Sequence, residues 1–275
     1  MSLAHTHMVN EITSPELVAR NKNFTMAAEV GLLSRNVKVV GEDYRTIKQD
    51  AFGARVIMGT YSMFDQIYRG WARISNVEFY RGGQLGWTDS YDPRYALVWL
   101  DTGEVIPARP SYVRDCAFHN GLAPAIGVFG SNKIPIENNV IHHPVGSGII
   151  VEGSGNEIRH NLVTHVVWNG HYNGRYELWN IMYDAGIKVN NVVDVVMEDN
   201  VVAGSERVGY SIKGEVCDDT VGWKNNEAHS VYMGTFQLPG DEQPGCSKLS
   251  GFRIWRAFDY GIYSQTESSI LMNDL

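Results

Sequence analysis

IENNVI, residues Ile136–Ile141, returns down the chain as IRHNLV from Ile158, MEDNVV from Met197 and WKNNEA from Trp223, each time with Asn in fourth place. Looser copies stand at ISNVEF from Ile74, VRDCAF from Val113 and LSGFRI from Leu249. The starts at 113, 136, 158, 197, 223 and 249 are 23, 22, 39, 26 and 26 residues apart, a near-constant period with one insertion in the longest step. A repeat of this length marks a supersecondary unit that stacks on copies of itself.

The unit is built of strands. In MEDNVV and the following GYSI, apolar side chains alternate over short runs, with Gly, Asn and Ser between the runs. About nine residues after each fourth position comes a small residue and a second apolar run, as in Asn139 to Gly148, Asn200 to Gly209, Cys116 to Ala125 and Phe252 to Gly261. Two strands and two turns in about 22 residues form one coil of an all-β, right-handed, single-stranded parallel β-helix with coils of ~22–26 residues. Asn tolerates the left-handed backbone of a sharp corner, and its amide can bond the Asn of the next coil. Asn139, Asn161, Asn200 and Asn226 are therefore expected as an internal ladder rather than as ligand positions. Ile136, Val140, Ile158, Leu162, Val201, Ile149 and Ile212 are expected to fill the interior.

At 275 residues and 44% hydrophobic content the chain can bury one sizeable core. Residues 1–29 read as an irregular lead-in that closes a preceding domain, and 30–275 as the β-helix, incomplete at its C-terminal end and cut from a longer protein. A net charge of -8 argues against nucleic acid, and against an anionic membrane in contact with this segment. An acidic polysaccharide meets the same repulsion unless a local basic groove overrides it. No apolar run approaches a membrane span, and no signal-peptide core precedes the repeats. Cys116 occupies a repeat position as a small buried residue, while Cys217 and Cys246 flank one coil in turn-like contexts where a bridge can form.

From Val30, the strings VGLLSRN, NVKVVGE, GARVIMG and ARISNVEFYRGGQLG resemble the β-helix region of fibrocystin and fibrocystin-like proteins. So do DPRYALVWL from Asp92, SYVRDCAFHNG from Ser111, PAIGVFGS from Pro124 and DNVVAGSERVGYSIKGEVC from Asp199. The resemblance implies an extracellular piece of a large, glycosylated, single-pass cell-surface protein. In such an oxidising compartment Cys217 and Cys246 are expected to pair and Cys116 to stay reduced, with Asn23 of the sequon NFT open to glycosylation. A more distant likeness, through the VGLL opening, runs to hyaluronan-degrading β-helix proteins. Those relatives carry a P-x-H-F-H string where this chain has Pro93, Arg94, Tyr95, Ala96 and Leu97. That departure removes the histidines the chemistry would use.

Three groups of side chains remain as candidates. His119, His142 and His229 each stand three places after the repeat's fourth position, with His165 one place late. Equivalent positions on adjacent coils stack at about 4.8 Å, close enough for a shared metal or a proton relay. Corner histidines bonded to turn carbonyls are the more economical reading. The insertion around Trp168, His171, Tyr172, Tyr176, Trp179 and Tyr183, with Arg175, Glu177 and Asp184, has the flat rings and polar groups of a sugar platform. A second aromatic loop holds Trp87, Tyr91 and Tyr95. Lids that bury their rings compete with that reading. Asp89, Asp92, Asp115, Glu137 and Asp184 are the acids available for glycoside cleavage if they meet in one groove. The sequence assigns no catalytic, cofactor-binding or metal residue and no cofactor. It points to a non-catalytic recognition or adhesion segment with an extracellular protein or glycan ligand, a glycan-cleaving enzyme being the competing class.

Overall fold

Each copy of the repeat bends at its third residue, where the backbone crosses to positive φ. Asn76, Asp115, Asn138, His160, Asp199, Asn225 and Gly251 occupy this place in seven successive coils, with φ between 50° and 70°. Asn, Asp and Gly tolerate this conformation best. The sequence reading had placed the left-handed residue one position later, on the ladder Asn. The structure, a computed structural model, describes residues 10–12, 24–42, 51–85, 93–168, 184–190, 194–213, 215–217, 223–238, 246–265 and 269–275. It divides into two compact units, Met1–Leu32 and Leu33–Leu275. In the first unit Asn10–Ile12 pairs antiparallel with Phe24–Met26.

The second unit is a right-handed parallel β-helix with three strands per coil, one more than the sequence reading gave. The repeat phrase itself straddles two of them. Pro135–Glu137 lies on a first sheet, with Arg73–Ser75, Tyr112–Arg114, Glu157–Arg159 and Val196–Glu198. After the bend, Val140–His142 lies on a second sheet, between Ala117–His119 and Leu162–Val166. The third sheet holds Val56–Met58, Leu97–Glu104, Ile126–Asn132, Ile149–Glu152 and Ala185–Val189. Towards the C-terminal end the second and third strands run together, as Val201–Lys213, Asn226–Leu238 and Phe252–Ser264.

Parallel register stacks like on like. Ile136 sits between Val113 and Ile158, and Ile149 between Ile126 and Ile187. Every one of these six is fully buried. On the second sheet the interior positions are Phe118, Ile141, Val163 and Val202. Val140, Leu162 and Val201, expected inside, are instead half-buried and face outward. The cause is the ladder Asn, which takes the first inward place after the bend and shifts the alternation by one.

That ladder forms as expected at the fourth position. Asn139 Nδ2 donates to Asn161 Oδ1, Asn161 Nδ2 to Asn200 Oδ1 and Asn200 Nδ2 to Asn226 Oδ1, each at 3.0 Å. Each Oδ1 also accepts the backbone N–H of the preceding coil, and each Nδ2 also donates to a carbonyl there, as in Asn161 Nδ2 to Ile136 O at 2.8 Å. The amides are at most 1% exposed, so their full hydrogen bonding is what makes the burial tolerable. The ladder ends at Cys116 on one side, whose N–H bonds Asn139 Oδ1 at 3.1 Å, and at Phe252 on the other.

At the turn from the second sheet to the third, small residues stack instead. Gly148, Gly186, Gly209, Gly234 and Gly261 occupy equivalent places. A side-chain carbon built on Gly186 would lie 2.4 Å from Val202 Cγ1, and one on Gly234 would lie 2.4 Å from Ile254 Cγ2. The two sheets converge there, and at Gly186 and Gly234 only Gly leaves the room.

Cys116 is free and buried, and Cys217 is disulfide-bonded. The antiparallel register of Glu215 with Lys248 and Val216 with Ser247 carries the next position, Cys217, opposite Cys246. The Cys246 side chain, like Asn23, lies outside the described residues. Among the described residues no helix is long and apolar enough to cross a membrane.

Candidate functional site

The constant register carries the histidines into columns. Outward on the second sheet, Tyr80, His119, His142, Thr164, Ala203, His229 and Trp255 form one row, coil upon coil. His119 and His142 are therefore direct neighbours across adjacent strands, as the spacing predicted. His165 does not join them, because Thr164 takes the row position in its coil. The next place along each coil is a second left-handed corner, at Arg81, Asn120, His143, His165, Gly204, Ser230 and Arg256. His143 and His165 fall in this corner column, and their rings stack with centroids 5.0 Å apart.

Three imidazoles thus gather at one corner. The His142 ring lies 5.9 Å from that of His165 and 6.2 Å from that of His143. His142 Nδ1 and Thr164 Oγ1 are hydrogen-bonded at 2.8 Å. Burial, then the neighbouring His165, His143 and His119, hold His142 below the ordinary histidine range, so the neutral ring is favoured. His143 Nδ1 is enclosed and has no hydrogen-bond partner among the described residues. These imidazoles do not bring three donor atoms within 4.8 Å of one another, so they do not form a ready-made metal cage. They form a cluster of imidazoles with one ring, His165, in open contact with solvent.

His119 belongs to a charged group at the edge of the patch. Its Nε2 lies 3.2 Å from Glu78 Oε1, and Lys38 Nζ lies 3.0 Å from Glu78 Oε2. Burial would raise the Glu78 carboxyl, but the Arg35 backbone N–H, Lys38 and His119 outweigh it and hold the pKa at about 2. Towards the other end of the same row, His229 stacks on Trp255 at 4.0 Å, and Trp255 Nε1 donates to Glu227 at 2.7 Å.

The described acids, Asp115, Glu137 and Asp184, do not assemble into a groove. Glu137 faces out from the first sheet, 3.7 Å from Arg159, which also bonds Glu157 and Glu198. Asp115 occupies the bend between the first and second sheets, and Asp184 precedes the strand Ala185–Val189 of the third. Asp89 and Asp92 lie outside the described residues, as do Trp87, Tyr91 and the insertion from His171 to Tyr183. The described edge of that insertion is engaged, with the Arg207 guanidinium 3.7 Å from the Trp168 ring centroid and Trp168 N bonded to Glu206. Tyr95 is buried against Phe129, and Leu97 faces the core.

Sequence reasoning missed His143, Glu78 and Lys188. His143 had a signal, since it stands in the eighth place of its repeat, where Asn120 and Arg81 stand in theirs. Lys188 had none. It faces outward between Ile150 and the buried Ser211, and burial lowers its pKa while Asp184 and Glu152 oppose the shift.

Comparison with known proteins follows the same geometry. Residues 52–236, which hold most of the coils, match the family described as CEMIP beta-helix. The chain is 45% identical over 273 residues to human fibrocystin-L and 44% identical over the same length to the mouse protein, covering 98% of this chain in each case. Mouse fibrocystin is 29% identical over 269 residues. The chain spans about 6% of the length of these relatives.

Proposed function

This chain belongs to the CEMIP beta-helix family and is closely related to fibrocystin-L and fibrocystin, and from that premise we propose that it is an extracellular recognition segment without catalytic activity. In this reading residues 1–29 close a preceding domain, residues 30–275 are part of the β-helix, and the whole protein is held at the cell surface by a single membrane pass. Ligands, proteins or glycans, meet the lateral faces of the coils. Parallel stacking supports this use, because it repeats similar outward side chains at a fixed spacing of about 4.8 Å, the kind of lattice an extended polymer can follow.

One observation carries the non-catalytic half of the proposal. The places that are histidine in the hyaluronan-degrading proteins this chain distantly resembles are Tyr95 and Leu97, which are 5% and 0% exposed. Neither side chain supplies a general base there, and neither is presented to a polymer outside. The imidazoles that do gather, at His142, His143 and His165, come from the coils that follow, and no carboxylate is hydrogen-bonded to His142 among the described residues.

The test is incubation with high-molecular-mass hyaluronan, with and without calcium. An unchanged size distribution is the expected result, together with adhesion to cultured cells of beads coated with the segment. Depolymerisation by the wild-type protein that disappears in His142→Ala overturns the proposal in favour of an enzyme.

A further inference from the structure

The imidazoles gathered at one corner of the β-helix are not required by the way the coil turns. His143 and His165 stand at the second left-handed corner, with φ of 58° and 55°, a place that Arg81, Asn120, Gly204, Ser230 and Arg256 fill in other coils. A bend that accepts Arg, Asn, Gly or Ser does not ask for histidine, and positive φ disfavours any residue with a side chain. His142, the last residue of the strand Val140–His142, brings the third ring.

Each of the three keeps a ring nitrogen for a ligand. His143 Nδ1 is enclosed without a partner, and neither nitrogen of His165 is hydrogen-bonded among the described residues. An enclosed nitrogen left unpaired is unfavourable, and a ligand bound to it removes the penalty. His142 engages Thr164 Oγ1 through Nδ1 at 2.8 Å. With its hydrogen on Nδ1 the lone pair stands on Nε2, the arrangement in which an outer acceptor orients a metal-binding histidine. His119, the adjacent ring in the row, is excluded, because Asn120 holds its Nδ1 and Glu78 its Nε2.

Three imidazoles on one tetrahedral ion, with metal–nitrogen distances of ~2.0–2.1 Å, have ring centroids about 5.2 Å apart. The three separations here are 5.0, 5.9 and 6.2 Å. The rings are thus within about 1 Å of the required triangle, and rotation about their own side-chain torsions brings the donor atoms together without moving the backbone. His165 is exposed, and Gly204, next in the corner column, sets no side chain beside it, which leaves one coordination place to water.

We propose that His142, His143 and His165 bind one divalent metal ion of the zinc and copper class, with water in the fourth place. Neutral nitrogen donors suit Zn²⁺, Cu²⁺ and Ni²⁺, whereas Ca²⁺ and Mg²⁺ require oxygen ligands. Ion binding goes beyond the recognition reading, and either can hold without the other.

The experiment is calorimetric titration of the metal-free whole chain with Zn²⁺, Cu²⁺, Ca²⁺ and Mg²⁺ at neutral pH, joined to nitrogen NMR of the imidazole rings. Zn²⁺ should bind, Cu²⁺ should bind more tightly, and neither Ca²⁺ nor Mg²⁺ should displace them. Zn²⁺ should shift the ring signals of His142, His143 and His165 and leave those of His119 in place. The double variant His143→Gln/His165→Gln should lose about tenfold or more in Zn²⁺ affinity, and Thr164→Val, which removes only the orienting hydroxyl, should lose about tenfold. Melting temperatures establish that the variants are folded, and the ring signals of the wild type decide the matter if they are not. The proposal is overturned if Zn²⁺ leaves the three ring signals unmoved, if Ca²⁺ binds there as tightly, or if the folded double variant binds Zn²⁺ like wild type.

Discussion

The Asn corner and the Gly corner turn the same coils by opposite means. At the first, four stacked amides fill the bend and satisfy one another and the backbone through bonds of 2.8–3.3 Å. At the second, a stack of glycines leaves the bend empty so that Val163, Val202, Ala228 and Ile254 of the second sheet can approach the third. One corner is held by buried polar bonds that are costly to orphan, the other by close packing that has no slack. The difference teaches that a small or polar residue at a fixed repeat position is not evidence for a ligand. Each can be required by the way the coil closes.

The sharpest way to break the comparison is to fill the empty corner. Gly186→Val should destabilise the β-helix by about 4 kcal/mol or more, or prevent folding, because its side chain enters the space of Val202 and of the Gly209 carbonyl. Urea unfolding measures this, and a loss under about 1 kcal/mol would mean that the sheets can separate there.

Removing one rung of the amide ladder should cost somewhat less. Asn161→Leu leaves the N–H and one Nδ2 hydrogen of Asn139 without an acceptor and takes a donor from Ile136 O and from Asn200 Oδ1, for an expected loss of about 2–4 kcal/mol. Asn161→Asp keeps an acceptor for Asn139 but loses the donor to Ile136 O, and it places a charge in the interior, so at neutral pH it should not rescue the leucine variant. Equal stability of Asn161→Asp and wild type at pH 7 would show that water reaches the ladder.

A third test uses pH. The stacked amides and the stacked glycines do not titrate, and Glu78 is placed to supply acid sensitivity. Its folded pKa of about 2 lies below the ordinary 4.5, so its contribution to stability is full above 4.5 and is lost as pH falls towards 2. Glu78→Gln should lower the melting temperature at pH 7 by a few degrees and flatten its decline between pH 5 and 2.5. Parallel declines in the two proteins would assign the acid sensitivity to other groups.

The smallest expected effect belongs to His142. Its pKa is lowered on folding, so its neutral form contributes stability above about pH 6.5 that is lost as pH falls below that value. The melting temperature of His142→Gln should change less than that of wild type between pH 7 and 5.5.

Much of the fold was legible because each local signal repeats. Asn139, Asn161, Asn200 and Asn226 mark one corner, and the small residue about nine places later marks another. The errors share a cause as well. The left-handed residue was assigned to the ladder Asn because both the third and fourth places carry Asn in IENNVI and WKNNEA, and sequence does not say which amide turns the chain and which fills it. That one-place error also put Val140, Leu162 and Val201 inside, since alternation propagates any shift to the next strand.

The candidate sites were less legible. His119 beside His142 followed from spacing, but His143 beside His165 depends on two coils sharing a second corner column, which no repeat phrase marks. The acids Glu137 and Asp184, grouped by type in the sequence, part company because they sit on different sheets. A cleft lined by Arg69 and Arg109 joins a hairpin to a loop about 40 positions later.

By itself, the sequence determined the period, the β-helix, the amide ladder and the positions of the small residues, because each depends on backbone preferences and side-chain alternation that recur within one coil. Only the tertiary structure decided which side chains face one another across coils and which cations are left unpaired. Insertions of different length between strands shift residue numbers without shifting register, so proximity is set by stacked backbone hydrogen bonds rather than by distance along the chain.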